Sequence, residues 1–326
     1  MKKIISNKEM NKRLVRYGEL KPCKTAFIDA HTPGSNLKEN FTIIGAGVSE
    51  SSDQHVHLKI PHGFNIGAAG QPPKCKNSLH SHRTAEVFFV LSGRWRFFWG
   101  RWGNSGEVIL EEGDIINIPT GIFRGFENIG INYGMIMAIL GGDDAGGGVI
   151  WAPQVINEAK KHGLVLSEKG ELFDTTKGKK LPSNFKSMNV LNEEQLKSFP
   201  ELSSSEIIDN HVARYLDLIS LSYGSPAKVI GETGKLVDKP GFEVDFISRN
   251  STVDNKIGFK KPSVYIPFKG NWNIEWSNGS IILNSGDTLS VPEELEHKIY
   301  PTMTGESSMY RVVGTNDIAG STWKNN

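Results

Sequence analysis

Short apolar runs separated by turn residues dominate two long stretches of the chain, and each run predicts a β-strand. Residues 87–91 are continuously apolar and end at Ser92 and Gly93, after which residues 94–99 resume with alternating character. This pattern predicts a β-hairpin. Further strands are predicted at residues 41–45, 55–60 and 64–69, and within residues 113–121 and 263–270.

Helical signals occur near the N-terminus and in the middle of the chain. Ser6 followed by Glu9 is a capping-box pattern, which predicts a short helix within residues 7–17. Residues 155–162 and 192–199 are also predicted to be helical, with Asn192 as an N-cap of the second segment. Strands are therefore expected to outnumber helices by far.

The composition changes this picture little. The 326 residues suffice for two domains of roughly 100–200 residues each. Lys and Arg number 37, Asp and Glu number 36, and the net charge is +1, so no electrostatic feature favours nucleic acid or a membrane surface as a partner. The lack of a long apolar run and of a signal-peptide pattern, together with only two cysteines, predicts a soluble, cytoplasmic protein.

The strongest chemical signal is the run H-x-H-x3-E-x6-G formed by His80, His82, Glu86 and Gly93. Residues two apart on a strand point to one face, so both imidazoles are expected on the same side of a sheet. Glu86 is expected to share that face if the strand continues after a short turn. Two His and one carboxylate suit first-row transition metals, with iron expected first and Mn, Ni, Co or Zn accepting similar donors.

A second motif lies downstream, where Gly113, Pro119, Gly121 and Asn128 follow the spacing G-x5-P-x-G-x2-H-x3-N. Together the two motifs closely resemble the paired motifs of the cupin family. The resemblance implies double-stranded β-helix (jelly-roll) barrels and metal binding by His80, His82 and Glu86. It departs from the family at one position, because Arg124 stands where the fourth metal ligand is expected.

Arg124 leaves two interpretations open. In one, its guanidinium fills the place of the metal, pairs with Glu86 and leaves a barrel that binds no ion. In the other, His80, His82 and Glu86 still hold the metal, and Arg124 is a catalytic residue that orients a substrate carboxylate or another anion.

The C-terminal stretch resembles a second cupin barrel that has lost its metal ligands. Ser263 stands at the position of the Glu, and Ile257 and Phe259 stand where the two His are expected. His297 alone remains. The predicted divisions are an N-terminal arm at 1–40, a metal-binding barrel at 41–150, a connection with helices at 151–240, and a metal-free barrel at 241–326.

The resemblance to two-barrel cupins of the quercetinase and gentisate dioxygenase types implies a metal-dependent dioxygenase that acts on a small anionic or phenolic substrate. A lyase, isomerase or decarboxylase that uses the metal as a Lewis acid is the first alternative. A non-catalytic small-molecule-binding protein is the second, and it gains weight if Arg124 and Glu86 form a closed ion pair. The resemblance also implies a homo-oligomer.

Several other features are weaker candidates. His55, His57 and His62 could supply a fourth ligand, although no carboxylate follows them at a useful distance. Cys75 is expected to be an inert free thiol. Aromatic residues in phase with Glu86 are expected to line the cavity, and the glycine-rich run at 141–148 is expected to be a connection that leaves the first barrel.

Overall fold

The fold is described from a computed structural model of the chain, in which residues 4–142, 148–254 and 256–315 are described. Five α-helices and three 3-10 turns lie among these residues, and none of the helices is long and apolar enough to cross a membrane. The helices are α1 Asn7–Asn11, α2 Pro153–Lys161, α3 Glu193–Lys197, α4 Ser204–His211 and α5 Tyr215–Leu221. The 3-10 turns are Tyr17–Glu19, Ile28–His31 and Thr175–Lys177.

Strands form most of the regular structure. The first twelve are β1 Leu14–Val15, β2 Glu39–Ile44, β3 Val56–Leu58, β4 Phe64–Gln71, β5 Lys76–His82, β6 Glu86–Ser92, β7 Trp95–Trp99, β8 Gly106–Leu110, β9 Ile115–Ile118, β10 Arg124–Asn128, β11 Gly134–Gly141 and β12 Val149–Trp151. The others are β13 Leu164–Leu166, β14 Leu172–Asp174, β15 Val212–Ala213, β16 Ala227–Gly231, β17 Leu236–Val237, β18 Phe242–Ser248, β19 Ser263–Lys269, β20 Trp272–Trp276, β21 Gly279–Leu283, β22 Thr288–Val291, β23 His297–Pro301 and β24 Ser308–Gly314.

The chain divides into two compact units. The first, called the N-terminal barrel here, comprises residues 21–59 and the described part of 65–212; the second, the C-terminal barrel, comprises the described parts of 1–20, 60–64 and 213–319. Each unit contains two main sheets. The predicted fold class, two strand-built barrels with short helices, is confirmed.

In the N-terminal barrel, a five-stranded sheet has the order β12-β5-β10-β7-β8, and a seven-stranded sheet has the order β15-β9-β6-β11-β4-β2-β3. The core is built from apolar side chains of both sheets, so the two sheets are held together mainly by burial of apolar surface. Its largest members are Phe88, Trp95, Phe97, Trp99 and Phe126, all of which are buried.

The prediction of a β-hairpin at residues 87–99 is wrong. β6 pairs with β9 and β11 in one sheet, whereas β7 pairs with β8 and β10 in the other. Gly93, with a φ of +89°, lies in the turn where the chain leaves the first sheet for the second. A positive φ is also what a tight hairpin requires of a glycine. The local pattern therefore does not distinguish a hairpin from a crossing between sheets.

The C-terminal barrel has a seven-stranded sheet of order β1-β22-β19-β24-β18-β16-β17 and a three-stranded sheet of order β21-β20-β23. The capping box of Ser6 and Glu9 is confirmed, although its helix already ends at Asn11. After this helix, β1 pairs with β22, so the N-terminal residues extend a C-terminal sheet. The predicted division of the chain into an arm, a first barrel, a connection and a second barrel stays a prediction.

Candidate metal centre

The strand alternation that the sequence suggests places His80 and His82 side by side on β5. Their ring centroids are 5.1 Å apart, and their exposed fractions are 4% and 3%. The intervening Ser81 is also buried. The two imidazoles therefore lie close together inside the N-terminal barrel.

Glu86 reaches the two imidazoles from the opposite sheet. It is the first residue of β6, and residues 83–85 carry the chain from the five-stranded to the seven-stranded sheet. Its Oε2 lies 3.6 Å from His82 Nε2. Ligand atoms of His80, His82 and Glu86 all lie within 4.8 Å of one another, and among the described residues this is the group of His, Cys, Asp or Glu side chains that could hold a metal ion.

Both imidazoles are poised to act as neutral ligands. Burial holds the pKa of His80 and that of His82 well below the usual value of 6.5, and the nearby Arg124 guanidinium adds to both effects. Since a backbone carbonyl can only accept, the 2.7 Å contact between His80 Nδ1 and Ser78 O requires a proton on Nδ1. The lone pair of His80 Nε2 is then available to a metal ion.

Arg124 begins β10 and lies opposite His80 in the strand register. Its Nη2 donates a hydrogen bond to Glu86 Oε2 in a buried ion pair, and its Nη1 donates to His80 O at 3.3 Å. Burial raises the pKa of Glu86 and lowers that of Arg124, and the attraction between the two charges opposes both shifts. The side chain of Arg124 is 2% exposed and that of Glu86 is 6% exposed, so water screens their attraction little.

These residues fit a divalent metal ion. Two neutral imidazoles and one carboxylate form a donor set that first-row transition metals accept. His82 Nε2 and Arg124 Nη2 both approach Glu86 Oε2, so a metal ion and Arg124 would compete for the same carboxylate.

The three candidate ligands lie in the wall of a cavity of about 80 Å³. Phe88, Phe126, Leu140 and Trp151 supply much of its apolar wall. The prediction that aromatic residues in phase with Glu86 line the cavity is confirmed for Phe88 but wrong for Phe98 and Trp102, which are not among the lining residues. Arg124 is not among the lining residues, but its two hydrogen-bond partners, Glu86 and His80, are. An apolar wall with few convergent polar groups is typical of small-molecule sites.

The other candidate histidines do not join this group. His57 uses both ring nitrogens, with Nδ1 2.7 Å from Thr42 O and Nε2 3.1 Å from Lys21 N. His55 is exposed and stacks edge-on against His57. His62 belongs to the C-terminal barrel, where its Nε2 lies 2.8 Å from Ser290 Oγ.

Cys75 is buried, which raises the pKa of its thiol, and it is unpaired, as is Cys23. A raised thiol pKa fits the expected inert role. Most of the glycine-rich run at 141–148 lies outside the described residues, so its predicted role as a connection stays a prediction.

In the C-terminal barrel, the loss of the metal ligands is visible in the strand register. Ile257 forms an isolated bridge with His297, just as His80 pairs with Arg124 in the other barrel. His297 Nε2 instead accepts a 2.6 Å hydrogen bond from the hydroxyl of Tyr265, while its Nδ1 donates to Leu295 O. One side chain and one backbone carbonyl thus satisfy both ring nitrogens of the remaining histidine.

Two buried groups near the metal centre were missed by sequence reasoning. Glu50 accepts hydrogen bonds from Trp151 Nε1 at 2.6 Å and from Ile28 N at 2.8 Å, and burial raises its pKa to about 8. Asp29 and Lys38 form a fully buried ion pair close to the strand that carries His80. These residues come from loops and a 3-10 turn, and no local motif marks them.

Comparisons with known proteins agree with this architecture. Residues 70–139 match the family model of the cupin domain. No curated protein matches the chain.

Solved structures resemble almost the whole chain at low sequence identity. A single-residue variant of oxalate decarboxylase from Bacillus subtilis has a TM-score of 0.57 and 12% identity, covering 97% of this chain and 79% of that chain. The formate complex of oxalate decarboxylase from Lactobacillus farciminis has the same score, identity and coverage of this chain, with 88% of its own chain covered. Vicilin from Corylus avellana, hazelnut, has a TM-score of 0.52 and 13% identity, covering 93% of this chain and 86% of that chain. Such low identities show a common fold only.

Proposed function

We propose that this chain, which has the two-barrel fold of the cupin superfamily, binds one divalent transition-metal ion through His80, His82 and Glu86 and acts on a small carboxylate as a lyase. The observation that carries the proposal is the convergence of two neutral imidazoles and the Glu86 carboxylate at the wall of a small cavity. Iron remains the first expected metal, and Mn, Ni, Co and Zn suit the same donors.

The charges of the site favour an anionic substrate. With both imidazoles neutral, the charges of Glu86 and Arg124 cancel in the metal-free protein. A divalent ion would leave the buried site with an excess of two positive charges, and uncompensated buried charge is costly. A small dicarboxylate would neutralise that excess, and a monocarboxylate would neutralise half of it.

The size of the cavity favours the lyase alternative over the predicted dioxygenase. An engineered protein cavity of about 150 Å³ holds one benzene molecule. The cavity beside His80 and His82 has only about 80 Å³, which suits an acid of a few heavy atoms better than a phenolic ring. The likeness to oxalate decarboxylases is one of fold, but it makes small carboxylic acids a sensible first set of compounds to test.

In this proposal, Arg124 acts as a catalytic residue that exchanges partners. When Glu86 binds the ion, the buried guanidinium loses its carboxylate and needs another anion, which the substrate supplies. A bound divalent ion would contribute Lewis-acid polarisation of a substrate oxygen. Phe88 and Trp151 would exclude bulk water from the substrate.

The favoured reaction is decarboxylation. The C–C bond to the carboxylate breaks, CO2 leaves, and the electron pair stays on the remaining carbon until a proton from solvent replaces the lost group. The sequence-based dioxygenase prediction differs in requiring molecular oxygen as a co-reactant.

A second candidate is a non-catalytic protein that binds small molecules. The closed Arg124–Glu86 pair favours it, because Arg124 satisfies Glu86 without any metal ion. Cytoplasmic location and assembly into a homo-oligomer are further proposals that rest on the sequence and on the resemblance.

The reaction is tested by incubating metal-reconstituted protein with small mono- and dicarboxylates and measuring CO2 release with and without oxygen. The lyase proposal predicts release that is independent of oxygen and is lost in Arg124→Gln. Oxygen consumption in step with turnover would favour the dioxygenase. Binding of an acid without turnover under either condition would favour the non-catalytic protein.

A further inference from the structure

We propose that the buried ion pair of Asp29 and Lys38 positions His80 for metal binding, acting through Ser78, with Asn77 packed beside the ring. This inference rests on the proposed function of His80 as a metal ligand. Asp29, Lys38 and Asn77 become positioning residues, since none of them offers an atom to the three-ligand group.

The ion pair is completely enclosed. The side chains of Asp29 and Lys38 have no exposed surface, and Lys38 Nζ donates a hydrogen bond to Asp29 Oδ1. The Lys38 ammonium also lies 5.3 Å from the ring centroid of Phe27. Asp29 belongs to the 3-10 turn at Ile28–His31, and Lys38 immediately precedes β2.

Asp29 connects the pair to the backbone that orients His80. Its second oxygen, Oδ2, accepts a hydrogen bond from Ser78 N at 3.0 Å. The carbonyl of the same residue, Ser78 O, accepts the Nδ1 proton of His80 at 2.7 Å. A single residue of β5 therefore joins the buried carboxylate to the imidazole, and the bond to Ser78 O fixes which ring nitrogen is left for a metal ion.

Lys38 connects the pair to the side of the same imidazole. Its Nζ donates to Asn77 Oδ1 at 2.8 Å, which fixes the orientation of the amide. Asn77 Nδ2 then lies 3.3 Å from His80 Nδ1. Because Nδ1 already donates its proton to Ser78 O, Asn77 packs against the ring without a hydrogen bond to it, and the hydrogen-bonded route from the ion pair to the ring runs through Ser78.

The stability of the folded protein alone does not explain why an ion pair is buried beside β5. Desolvation of two charges offsets much of their attraction, and apolar residues of similar size often stabilise a core equally well. What an ion pair adds is directional hydrogen bonding, and the bonds that leave this pair go to Asn77 and Ser78, three and two positions before His80 on β5. Partners behind metal ligands typically change metal affinity by about 10–100-fold when they are removed.

The first test uses metal-free protein. Nitrogen-15 NMR of the His80 ring is expected to show a protonated Nδ1 and an unprotonated Nε2 in the wild type. Asp29→Asn and the double variant Lys38→Met/Asp29→Asn are expected to show mixed or exchanging tautomers. The double variant removes both charges together, so it leaves no unpaired buried ion if a single variant fails to fold.

The second test is a titration of the same proteins with Co2+, followed by its visible absorption spectrum. The variants are expected to bind about tenfold more weakly or worse, with an altered spectrum. Asp245→Asn serves as a matched control, because it disturbs a buried ion pair with Arg311 in the C-terminal barrel and should leave Co2+ affinity unchanged.

The two tests separate the failure of this inference from the failure of the proposed function. If the wild type binds no Co2+, the metal centre is contradicted. The tautomer of the His80 ring in wild type and variants still shows whether Asp29 and Lys38 orient that ring. If the wild type binds Co2+ and the Asp29 and Lys38 variants match it in both affinity and tautomer, the positioning inference is overturned.

Discussion

Arg124 and Glu86 form an ion pair between the facing sheets of the N-terminal barrel, with Arg124 at the start of β10 and Glu86 at the start of β6. The same carboxylate oxygen lies 3.6 Å from His82 Nε2. Glu86 is therefore placed between two alternative partners, a guanidinium and a metal ion held by imidazoles. The relative strength of these two interactions decides whether this barrel is a metal centre.

Loss of the guanidinium should destabilise the metal-free protein. Arg124→Met leaves Glu86 buried without its partner, and breaking a buried ion pair on one side typically costs about 3–5 kcal/mol. The double variant Arg124→Met/Glu86→Gln carries no charge at either position and should recover much of the lost free energy of unfolding. Urea unfolding of the three proteins measures the difference, and equal stability of the single and double variants would contradict the pairing.

Arg124→His should strengthen metal binding and weaken acid binding. It removes the competitor for Glu86 and restores the residue that the resemblance expects at the fourth ligand position. We expect Co2+ to bind at least about tenfold more tightly, in line with the usual effect of changes around a metal ligand. The variant also lacks the group proposed to bind a substrate carboxylate, so calorimetry should show weaker acid binding. Weaker Co2+ binding would show that Arg124 is not a competitor.

Filling the cavity should separate metal binding from substrate binding. Ala138 lines the cavity and is not one of the proposed ligands. Ala138→Leu adds three carbon atoms to a space of about 80 Å³, so it should abolish binding of small acids and leave metal content unchanged. Calorimetry with the acid and metal analysis of the same sample measure both quantities. Unchanged acid binding would place the substrate elsewhere.

His297 should make the C-terminal barrel sensitive to acid. Burial lowers the pKa of His297 from 6.5 to about 4, and Tyr265 bonds its neutral form. Between these two pH values the unfolded chain binds a proton that the folded chain does not, so stability is full above about pH 6.5 and falls as the pH approaches 4. The shift corresponds to about 3 kcal/mol.

The measurement is the free energy of unfolding of wild type and His297→Gln at several pH values. The advantage of the wild type should shrink by about 3 kcal/mol between pH 7 and pH 4. His57→Gln, a change at a half-buried histidine of the other barrel, is the matched control. A constant difference between wild type and His297→Gln would contradict the buried neutral imidazole.

Local patterns predicted the features that depend on neighbouring residues. The alternation of His80 and His82, the Ser6–Glu9 capping box and the helix after Asn192 all depend on contacts within a few positions of the chain. The two motifs likewise pointed to the fold and to the three candidate ligands.

Relationships across the fold could not be predicted in the same way. The pattern around Gly93 fits a hairpin and a crossing between sheets equally well, and only the pairing partners of β6 and β7 separate the two. The pairing of β1 with β22 brings together residues that are far apart in the sequence. Asp29 and Lys38 stand in segments without any motif, and their proximity to His80 depends on how those segments pack.

The metal centre is tested first by the metal content of the purified protein, measured by inductively coupled plasma mass spectrometry beside His82→Ala and His57→Ala. His57 follows His55 with the same two-residue spacing but does not belong to the three-ligand group, so its variant is a matched control. We expect about one equivalent of a transition metal in the wild type and in His57→Ala, and its loss in His82→Ala. Absence of metal from all three proteins, even after reconstitution with Fe, Mn, Ni, Co and Zn, would contradict a metal centre at His80, His82 and Glu86.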